Sequence, residues 1–174
     1  RYMFGGMAKT PVTIRTTIGA GFGAGPQHSQ TLYSLFTAIP GLKCVLPSNA
    51  YDAKGLLAQA IRDDDPVIVF EHKMMYTDEC EVPDEPYLIP FGQANFTRRG
   101  DQVTIVAFSR MVNLANRVAD KMAGDGISVE VVDPRTTSPL DEDSILDSVE
   151  KTGRLVVVDE SNPFCSMASE IASL

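Results

Sequence analysis

Residues 19–30 read Gly19-Ala-Gly-Phe-Gly-Ala-Gly-Pro-Gln-His-Ser-Gln30, and the fold prediction starts from them. They follow the β-branched run Val12–Ile18 and precede the apolar segment Thr31–Ile39. Glycine at every second position from 19 to 25 permits positive φ and the close approach of another group. The pattern predicts a loop between a strand and a helix. This loop carries His28, one of the two histidines of the chain.

His28 is the first candidate functional residue. An imidazole titrates near neutral pH, so this side chain could transfer protons or hydrogen-bond an oxyanion. The alternative is an ordinary connection with a hydrogen-bonded structural histidine. No Gly-x-Ser-x-Gly motif occurs and no acid stands near His28, so a hydrolase triad is unsupported. His72, which follows Glu71 after a predicted strand, is interpreted as structural.

The same glycines formally match part of a dinucleotide-binding fingerprint, because Gly19-x-Gly21-x-x-Ala24 follows a predicted strand. Pro26 stands where the phosphate-binding helix would continue. No Asp or Glu occurs between Gly19 and Asp52, so the acid that would bind the ribose is missing. The sequence therefore disfavours a nucleotide-binding oxidoreductase, an alternative that measurable NAD affinity would favour.

Strands and helices are predicted to alternate around this loop. Strands are expected at residues 12–17, 42–47, 66–70, 102–108, 127–132 and 154–159. Helices are expected at residues 30–39, 49–62, 111–122, 141–149 and 166–174, with Asn49 and Asp141 as N-caps. This order is typical of a parallel α/β sheet, whose functional groups gather at the carboxyl ends of strands. The loop Asp133–Pro139 is predicted to lie at such an end.

The chain is predicted to have three parts. Residues 1–75 and 96–174 are two α/β units, and residues 76–95 are an acidic, proline-rich linker. The linker contains Asp78, Glu79, Glu81, Asp84 and Glu85, interpreted as a solvated acidic loop.

Composition excludes several classes of function. The 174 residues carry a formal net charge of −8, which disfavours nucleic-acid binding. No run of about 18 apolar residues predicts a membrane span. Three cysteines without C-x-x-C spacing are typical of a reducing compartment and predict a cytoplasmic protein. The chain lacks an initiator methionine and closes inside a predicted helix, so we expect it to be a piece of a longer protein.

Two polar clusters are further candidate functional sites. Asp63, Asp64 and Asp65 follow a predicted helix, whose C-terminal dipole disfavours acids. A cation held by carboxylates and backbone carbonyls would reverse that effect, and a solvated turn is the alternative. Asp133 and Arg135 follow a predicted strand, where a structural or interface role is favoured over binding of a carboxylate or phosphate.

The sequence resembles the beta subunits of thiamine-diphosphate-dependent 2-oxo acid dehydrogenases over essentially all of its 174 residues. The segments that carry the resemblance include Arg1-Tyr-Met-Phe-Gly-Gly6, Gln27-His-Ser-Gln30, Pro40-Gly-Leu-Lys-Cys-Val-Leu-Pro-Ser48, Asp65-Pro-Val-Ile-Val-Phe-Glu71 and Asp133-Pro-Arg-Thr-Thr-Ser-Pro-Leu-Asp141. Within the family, Glu71–Cys80 and Asp159–Ala168 look most like the members that act on acetoin.

This resemblance implies a fold and an activity. The first unit would be the second half of a pyrimidine-binding transketolase-like domain, and the second a truncated transketolase C-terminal-like domain. Family members form α₂β₂ heterotetramers that hold thiamine diphosphate and Mg²⁺ at the interfaces of alpha and beta subunits. They pass a two-carbon unit to a lipoyl group on an acyltransferase core. The implied enzyme is an oxidoreductase that cleaves acetoin. Alternatives are a pyruvate or branched-chain 2-oxo acid dehydrogenase subunit and a non-catalytic assembly subunit.

The resemblance also assigns residues. His28 matches the active-site histidine, which would hydrogen-bond or protonate intermediates or assist transfer to the lipoyl group. A structural monovalent-cation site, usually for potassium, would be formed by Thr10, Val12, Thr13, Ala60, Asp63 and Asp65. Val12 and Ala60 would contribute backbone carbonyls, and Asp65 stands where some relatives carry asparagine. The cofactor-binding residues are expected upstream of residue 1 or on the alpha subunit, so residues 1–174 alone are expected to be inactive.

Overall fold

The computed structural model describes residues 1–174 as alternating strands and helices. The strands are β1 (Thr13–Ile18), β2 (Lys43–Val45), β3 (Val67–His72), β4 (Asn95–Arg98), β5 (Val103–Ala107), β6 (Val129–Asp133), β7 (Thr136–Ser138) and β8 (Leu155–Val158). The α-helices are α1 (Tyr33–Thr37), α2 (Ala50–Arg62), α3 (Arg110–Gly124), α4 (Glu142–Thr152) and α5 (Met167–Ser173). The predicted α/β class is confirmed.

The first sheet has the strand order β1-β3-β2-β7, in which β1, β3 and β2 are parallel. Its central strand β3 is apolar from Val67 to Phe70, and these residues are buried because both faces of the strand are covered. The pairing of β1 with β3 sets Ile18 opposite His72. The loop after β1 therefore begins beside the carboxyl end of β3.

The fourth strand of this sheet comes from the second half of the chain. β7 pairs antiparallel with β2, where Ser138 lies opposite Cys44 and Thr136 opposite Val45. The sequence predicts a loop over Asp133–Pro139, which is wrong for Thr136–Ser138. A three-residue polar strand shows no apolar alternation, and its partner lies about 90 residues away in the sequence.

The second sheet has the strand order β4-β6-β5-β8, with β6, β5 and β8 parallel and β4 antiparallel. Every residue of β6 is buried, including Glu130, which accepts a 2.6 Å hydrogen bond from the Ser148 hydroxyl. The antiparallel edge strand β4 was missed by the sequence prediction. Helix α3 packs against the sheet through the buried residues Val112, Ala115 and Ala119.

One apolar cluster joins the two halves of the chain. Tyr33 lies with its ring centroid 6.2 Å from that of Phe70 and 6.1 Å from that of Phe108. Val132 and Ile145 belong to the same cluster. The division into residues 1–75, 76–95 and 96–174 stays a prediction, and this core contains residues from the first and the third of these parts.

Both predicted N-caps, Asn49 and Asp141, are confirmed. Asn49 accepts the N–H of Asp52 at 2.7 Å, and Asp141 accepts the N–H of Ser144 at 3.2 Å. The helix predicted over residues 30–39 is shorter and runs from Tyr33 to Thr37. At its start Gln30 still belongs to the loop, and at its end Ala38 is the C-cap. None of the helices combines the length and the apolar character that crossing a membrane requires.

Candidate active site

The glycine-rich loop is closed at its base and open at its tip. The N–H of Gly19 donates to the carbonyl of Gln30 at 3.2 Å, so the two ends of the loop meet. Gly25, with φ of 77°, precedes a 3-10 turn over Pro26–His28. The Ser29 hydroxyl donates back to the Gly25 carbonyl at 2.7 Å and braces this turn. The loop thus continues into a turn and not into the phosphate-binding helix of a dinucleotide site.

His28 lies on the exposed part of the loop, beside a groove of about 480 Å³. Its ring makes no hydrogen bond within residues 1–174, so both nitrogens can interact with a bound molecule. The groove is lined by Ile14, Thr16, Thr17, Ile18, Gln27, His28, Gln30, Leu32, Phe36, Ile68, Phe70 and Lys73. An exposed imidazole beside an apolar groove can hydrogen-bond or exchange a proton with a small molecule there.

The start of the loop is held by Glu160, which follows β8. One carboxylate oxygen accepts the backbone N–H of Ala20 at 3.0 Å, and the other lies 2.8 Å from Nε2 of His72. Nδ1 of His72 accepts the N–H of Met74 at 3.2 Å, so the neutral ring donates its Nε2 proton to Glu160. Burial lowers the pKa of His72, against the effect of the Glu160 charge. This buried and hydrogen-bonded arrangement supports the structural interpretation of His72.

The end of the loop leads to Tyr33, which is fully buried and donates its hydroxyl to Asp159. Burial, followed by the charge of Asp159, raises the pKa of Tyr33 far above its ordinary value, so the phenol keeps its proton. Asp159 also accepts the N–H groups of Ser161 at 2.8 Å and Ala168 at 3.2 Å. These bonds fix the carboxylate toward which Tyr33 points.

A buried polar cluster lies where β6 and β7 approach helix α2. Asp133 accepts hydrogen bonds from the Ser48 hydroxyl at 2.5 Å and from the Arg135 N–H at 2.9 Å. The Arg135 guanidinium donates to Asp52 at 2.7 Å, and Asp52 is completely buried. Burial raises the pKa of Asp133 to about 7, and the nearby Asp52 charge acts in the same direction. The arrangement supports the predicted structural role of Asp133 and Arg135.

The residues predicted to hold a monovalent cation lie together around the start of β1 and the end of α2. The Thr13 hydroxyl donates to the Ala60 carbonyl at 2.9 Å, and the Asp65 N–H donates to Asp63 at 2.9 Å. The Thr10 N–H reaches the carbonyl of Asp64 at 2.8 Å, and the Val12 carbonyl accepts from Val67 at 2.9 Å.

The three acids of this cluster meet basic side chains. Lys43 lies 2.7 Å from Asp63 and 3.1 Å from Asp65, and Arg1 also contacts Asp65. Lys9 lies 3.0 Å from Asp64. The sequence offered a bound cation or a solvated turn as alternatives for Asp63, Asp64 and Asp65. It did not predict that lysine and arginine side chains would neutralise these three carboxylates.

Sequence reasoning missed Asp159, Glu160 and Tyr33 as parts of the site. The available signal was that the two acids directly follow a strand, at an end where functional groups gather in a parallel sheet. No local pattern indicates that they would reach the glycine-rich loop of the other sheet.

Two family models match most of the chain. Residues 1–79 match the transketolase pyrimidine-binding domain, and residues 92–174 match the transketolase C-terminal domain. The chain belongs to the transketolase-like family. This is a family of thiamine-diphosphate-dependent enzymes. The loop that carries His28 lies within residues 1–79, the part of the chain that matches the pyrimidine-binding domain.

Curated relatives confirm the resemblance to dehydrogenase beta subunits. The acetoin:2,6-dichlorophenolindophenol oxidoreductase subunit beta of Bacillus subtilis is 57% identical over 174 residues, covering 100% of this chain and 51% of that protein. Its counterpart in Cupriavidus necator is 59% identical over 173 residues, covering 99% and 51%. The pyruvate dehydrogenase E1 component subunit beta of Bacillus subtilis is 45% identical over 174 residues, covering 99% and 54%. The chain thus spans about half the length of the curated relatives it matches.

A solved structure shares the fold. A split-gene transketolase, described as an inactive beta4 tetramer, matches with a TM-score of 0.81 and 24% identity over 95% of this chain and 53% of that chain. This likeness shows the transketolase-like fold alone.

The groove residues fit only part of a thiamine-diphosphate site. No Asp or Glu lines the groove beside His28, and no group of three or more His, Cys, Asp or Glu side chains is arranged to hold a metal ion. His28, Gln27 and Gln30 offer polar groups beside apolar walls, and Lys73 adds a positive charge. Such a lining suits contact with an organic substrate or ring, whereas Mg²⁺ bound to a diphosphate prefers carboxylate and other oxygen ligands.

Proposed function

We propose that the chain is part of the beta subunit of a thiamine-diphosphate-dependent dehydrogenase that cleaves acetoin and passes the acetyl unit to a lipoyl group. The observation that carries this proposal is the identity of 57% and 59% with two acetoin oxidoreductase beta subunits, against 45% with a pyruvate dehydrogenase beta subunit. The exposed imidazole beside a groove supplies a group that such chemistry can use.

The proposed reaction cleaves acetoin and acylates a lipoyl sulfur while the lipoyl disulfide is reduced. The bond between the carbonyl carbon and the hydroxyl-bearing carbon of acetoin breaks, and the hydroxyl-bearing carbon leaves as acetaldehyde. The remaining acetyl unit forms a thioester with one lipoyl sulfur, and the other sulfur takes a proton. The lipoyl disulfide is reduced by two electrons as the acetyl unit is formed. Thiamine diphosphate supplies the electron sink for this cleavage.

His28 is proposed as the catalytic residue contributed by this chain. Its imidazole would hydrogen-bond the oxygen of the two-carbon unit, or protonate it, and assist transfer to the lipoyl group. A histidine can serve in both protonation states near neutral pH.

The cofactor is proposed to be shared with other residues. Thiamine diphosphate and Mg²⁺ would be held mainly by an alpha subunit and by beta-subunit residues outside these 174, in an α₂β₂ heterotetramer. The lipoyl group would belong to an acyltransferase core. We expect residues 1–174 alone to show no turnover of acetoin, and turnover by this piece would contradict the proposed division of the site.

A structural potassium ion is proposed near Thr10, Val12, Thr13, Ala60, Asp63 and Asp65, with the carbonyls of Val12 and Ala60 as ligands. Lys43 binds the carboxylates of Asp63 and Asp65, so the ion would depend on carbonyl oxygens. Potassium at a hundred times its Kd would stabilise the folded protein by about 2.7 kcal/mol. The thermal midpoint of the complex should rise when tetramethylammonium is replaced by potassium at constant ionic strength.

Asp63→Asn and Asp64→Asn form a matched pair for this ion. The Asp63 N–H donates to the Ala60 carbonyl at 3.3 Å, so the side-chain charge of Asp63 lies beside a proposed ligand and would stabilise a cation there, whereas Asp64 faces Lys9. The potassium effect should shrink in the first variant and persist in the second. No difference between potassium and tetramethylammonium in the wild-type complex would refute the ion.

The substrate assay uses the full-length beta chain with its alpha partner, thiamine diphosphate and Mg²⁺. Reduction of dichlorophenolindophenol is followed with acetoin, pyruvate and a branched 2-oxo acid. Reduction with acetoin alone supports the proposal. Reduction with a 2-oxo acid alone would reassign the substrate, and no reduction by a folded complex that binds the cofactor would favour an assembly subunit.

His28→Ala distinguishes a catalytic from an assembling subunit. If the imidazole does acid–base work, kcat should fall by about 10²- to 10⁴-fold. His28→Asn keeps a hydrogen-bonding group without a titratable ring and should recover only part of that loss. Activity close to that of the wild type in both variants would contradict the role proposed for His28.

A further inference from the structure

We propose that Asp159 and Glu160 are positioning residues for the loop that carries His28. Both acids follow β8 in the second sheet, whereas the loop leaves β1 in the first sheet. Neither acid bonds to His28, so both would act through the base of the loop. The inference rests on the proposed function and deepens it, because it states what fixes the catalytic imidazole beside the groove.

The loop cannot determine its own orientation. Residues 21–28 are all exposed, and the four glycines between 19 and 25 have positive φ, so few side chains anchor this segment. The bonds within the turn over Pro26–His28 hold its shape but do not connect it to either sheet. The direction in which His28 points is therefore set at the two ends of the loop.

Glu160 fixes the first end at two points. It accepts the Ala20 N–H on one oxygen and the His72 ring N–H on the other. The backbone at Gly19 passes so close to this ring that a Cβ there would lie 2.1 Å from Nε2. The carboxylate therefore ties the first loop residue to the ring against which the loop is packed.

Asp159 fixes the second end. It accepts the hydroxyl of Tyr33, which stands three residues after Gln30, the residue that closes the loop. Tyr33 is held among Phe70 and Phe108, so the hydrogen bond joins the end of the loop to the core between the sheets. Two adjacent residues that follow a strand of the second sheet thus hold both ends of one loop of the first.

The precision of this support matters for catalysis. A catalytic group misplaced by about 1 Å can lose about a hundredfold in rate even when the substrate still binds. A mobile His28 would spend only part of its time beside the reacting oxygen. Loosening either end of the loop should therefore lower kcat much more than it raises KM.

The first test replaces Glu160 by glutamine in the full-length beta chain, bound to its alpha partner, thiamine diphosphate and Mg²⁺. A glutamine leaves one acceptor oxygen for two donors, the Ala20 N–H and the His72 ring N–H. Deuterium exchange of the peptide that covers residues 19–31 is expected to rise about tenfold, with no change in the peptide that contains β5. Glu150→Gln, the same change at an exposed position of α4, should leave both peptides unchanged.

Kinetics with acetoin give a second readout. Glu160→Gln is expected to lower kcat about tenfold and to change KM by less than about twofold. In a His28→Ala background the same substitution should change kcat by less than about twofold, because the side chain that it positions is gone. An equal tenfold loss in both backgrounds would overturn the positioning role.

Tyr33→Phe tests the second end by removing only the hydroxyl that reaches Asp159. Faster exchange over residues 19–31 and a lower kcat are expected, whereas Tyr51→Phe, whose hydroxyl makes no hydrogen bond in the chain, should behave as the wild type. If the wild-type complex does not turn over acetoin, the proposed function fails and the exchange data still decide the inference. Unchanged loop exchange in both Glu160→Gln and Tyr33→Phe would overturn it.

Discussion

At the scale of single residues, Gly19 sets the distance between the loop and the sheet. With φ of 99° and the His72 ring 2.1 Å from the position of an added Cβ, it combines backbone strain with a steric clash. Gly19→Ala is expected to lower the free energy of unfolding by about 2 kcal/mol or more. Gly23 also has a positive φ, but an added Cβ there would meet no other atom. Gly23→Ala is therefore expected to lower the free energy of unfolding by about 1 kcal/mol, from backbone strain alone. Equal losses in urea unfolding would contradict the clash.

Asp133 predicts a dependence of stability on pH. The folded protein keeps this proton up to about pH 7, whereas an ordinary aspartate, with a pKa of 3.8, releases it. Between these pH values the folded state binds one more proton, so the free energy of unfolding should fall by about 1.4 kcal/mol per pH unit as pH rises. Asp133→Asn should remove this contribution, because the Ser48 hydroxyl can also accept a hydrogen bond.

The measurement is urea unfolding of the full-length beta chain at a series of pH values from 4 to 7. Asp147→Asn, at an exposed position of α4, is the matched control and should keep the wild-type slope. A slope in Asp133→Asn identical to that of the wild type would show that Asp133 is ionised throughout this range.

The residues of the candidate site differed in how far the sequence could predict them. His28 was predictable because a histidine at the end of a glycine-rich segment is a local pattern. Glu160 was not, since its partner His72 lies 88 residues away and in the other sheet. Basic partners for Asp63 and Asp65 were missed for the same reason, because Lys43 reaches them only through the pairing of β2 with β3.

At the scale of elements, Asp141 connects the start of α4 to the start of β4. It accepts the N–H of Ser144 at 3.2 Å and the N–H of Ala94 at 2.7 Å. Asp141→Ala should lower the free energy of unfolding by about 2 kcal/mol, since a cap and a second hydrogen bond are lost. Asp141→Asn keeps one carbonyl oxygen and should lose about half as much. Asp143→Asn, exposed in the same turn, loses only a favourable interaction with the helix dipole and should cost less than about 1 kcal/mol. An unaltered urea midpoint in Asp141→Ala would contradict the role of Asp141.

Elements with long apolar patterns were the predictable ones. Helix α3 and strand β5 lie within two residues of their predicted bounds, because burial on one or both faces leaves a periodic sequence. The short strand β7 has no apolar periodicity, because its polar side chains bond to other parts of the chain. The Thr137 hydroxyl lies 2.6 Å from that of Thr37, and the Ser138 hydroxyl donates to the Leu42 carbonyl at 2.9 Å. Its place is decided by tertiary partners and not by its own composition.

At the scale of the whole molecule, the shared core predicts that both halves unfold together. Phe108 is buried against Tyr33, so Phe108→Ala should remove about 3 kcal/mol or more from the free energy of unfolding of both sheets. Hydrogen exchange in urea should show β3 and β5 losing protection at the same, lower concentration. Val156→Ala, at a half-exposed position of β8, should have a much smaller effect. Unchanged protection of β3 in Phe108→Ala would show that the halves unfold independently.

The antiparallel pairing of β7 with β2 also bears on the order of events during translation. Cys44 meets Ser138 only after about 90 further residues have left the ribosome, which takes about 5–20 s at typical rates of synthesis. Throughout that time β2 is an unpaired edge, and such edges attract strands of other chains. The nascent first half therefore has an interval in which chaperone binding competes with aggregation, and the interval ends when Thr136–Ser138 is made.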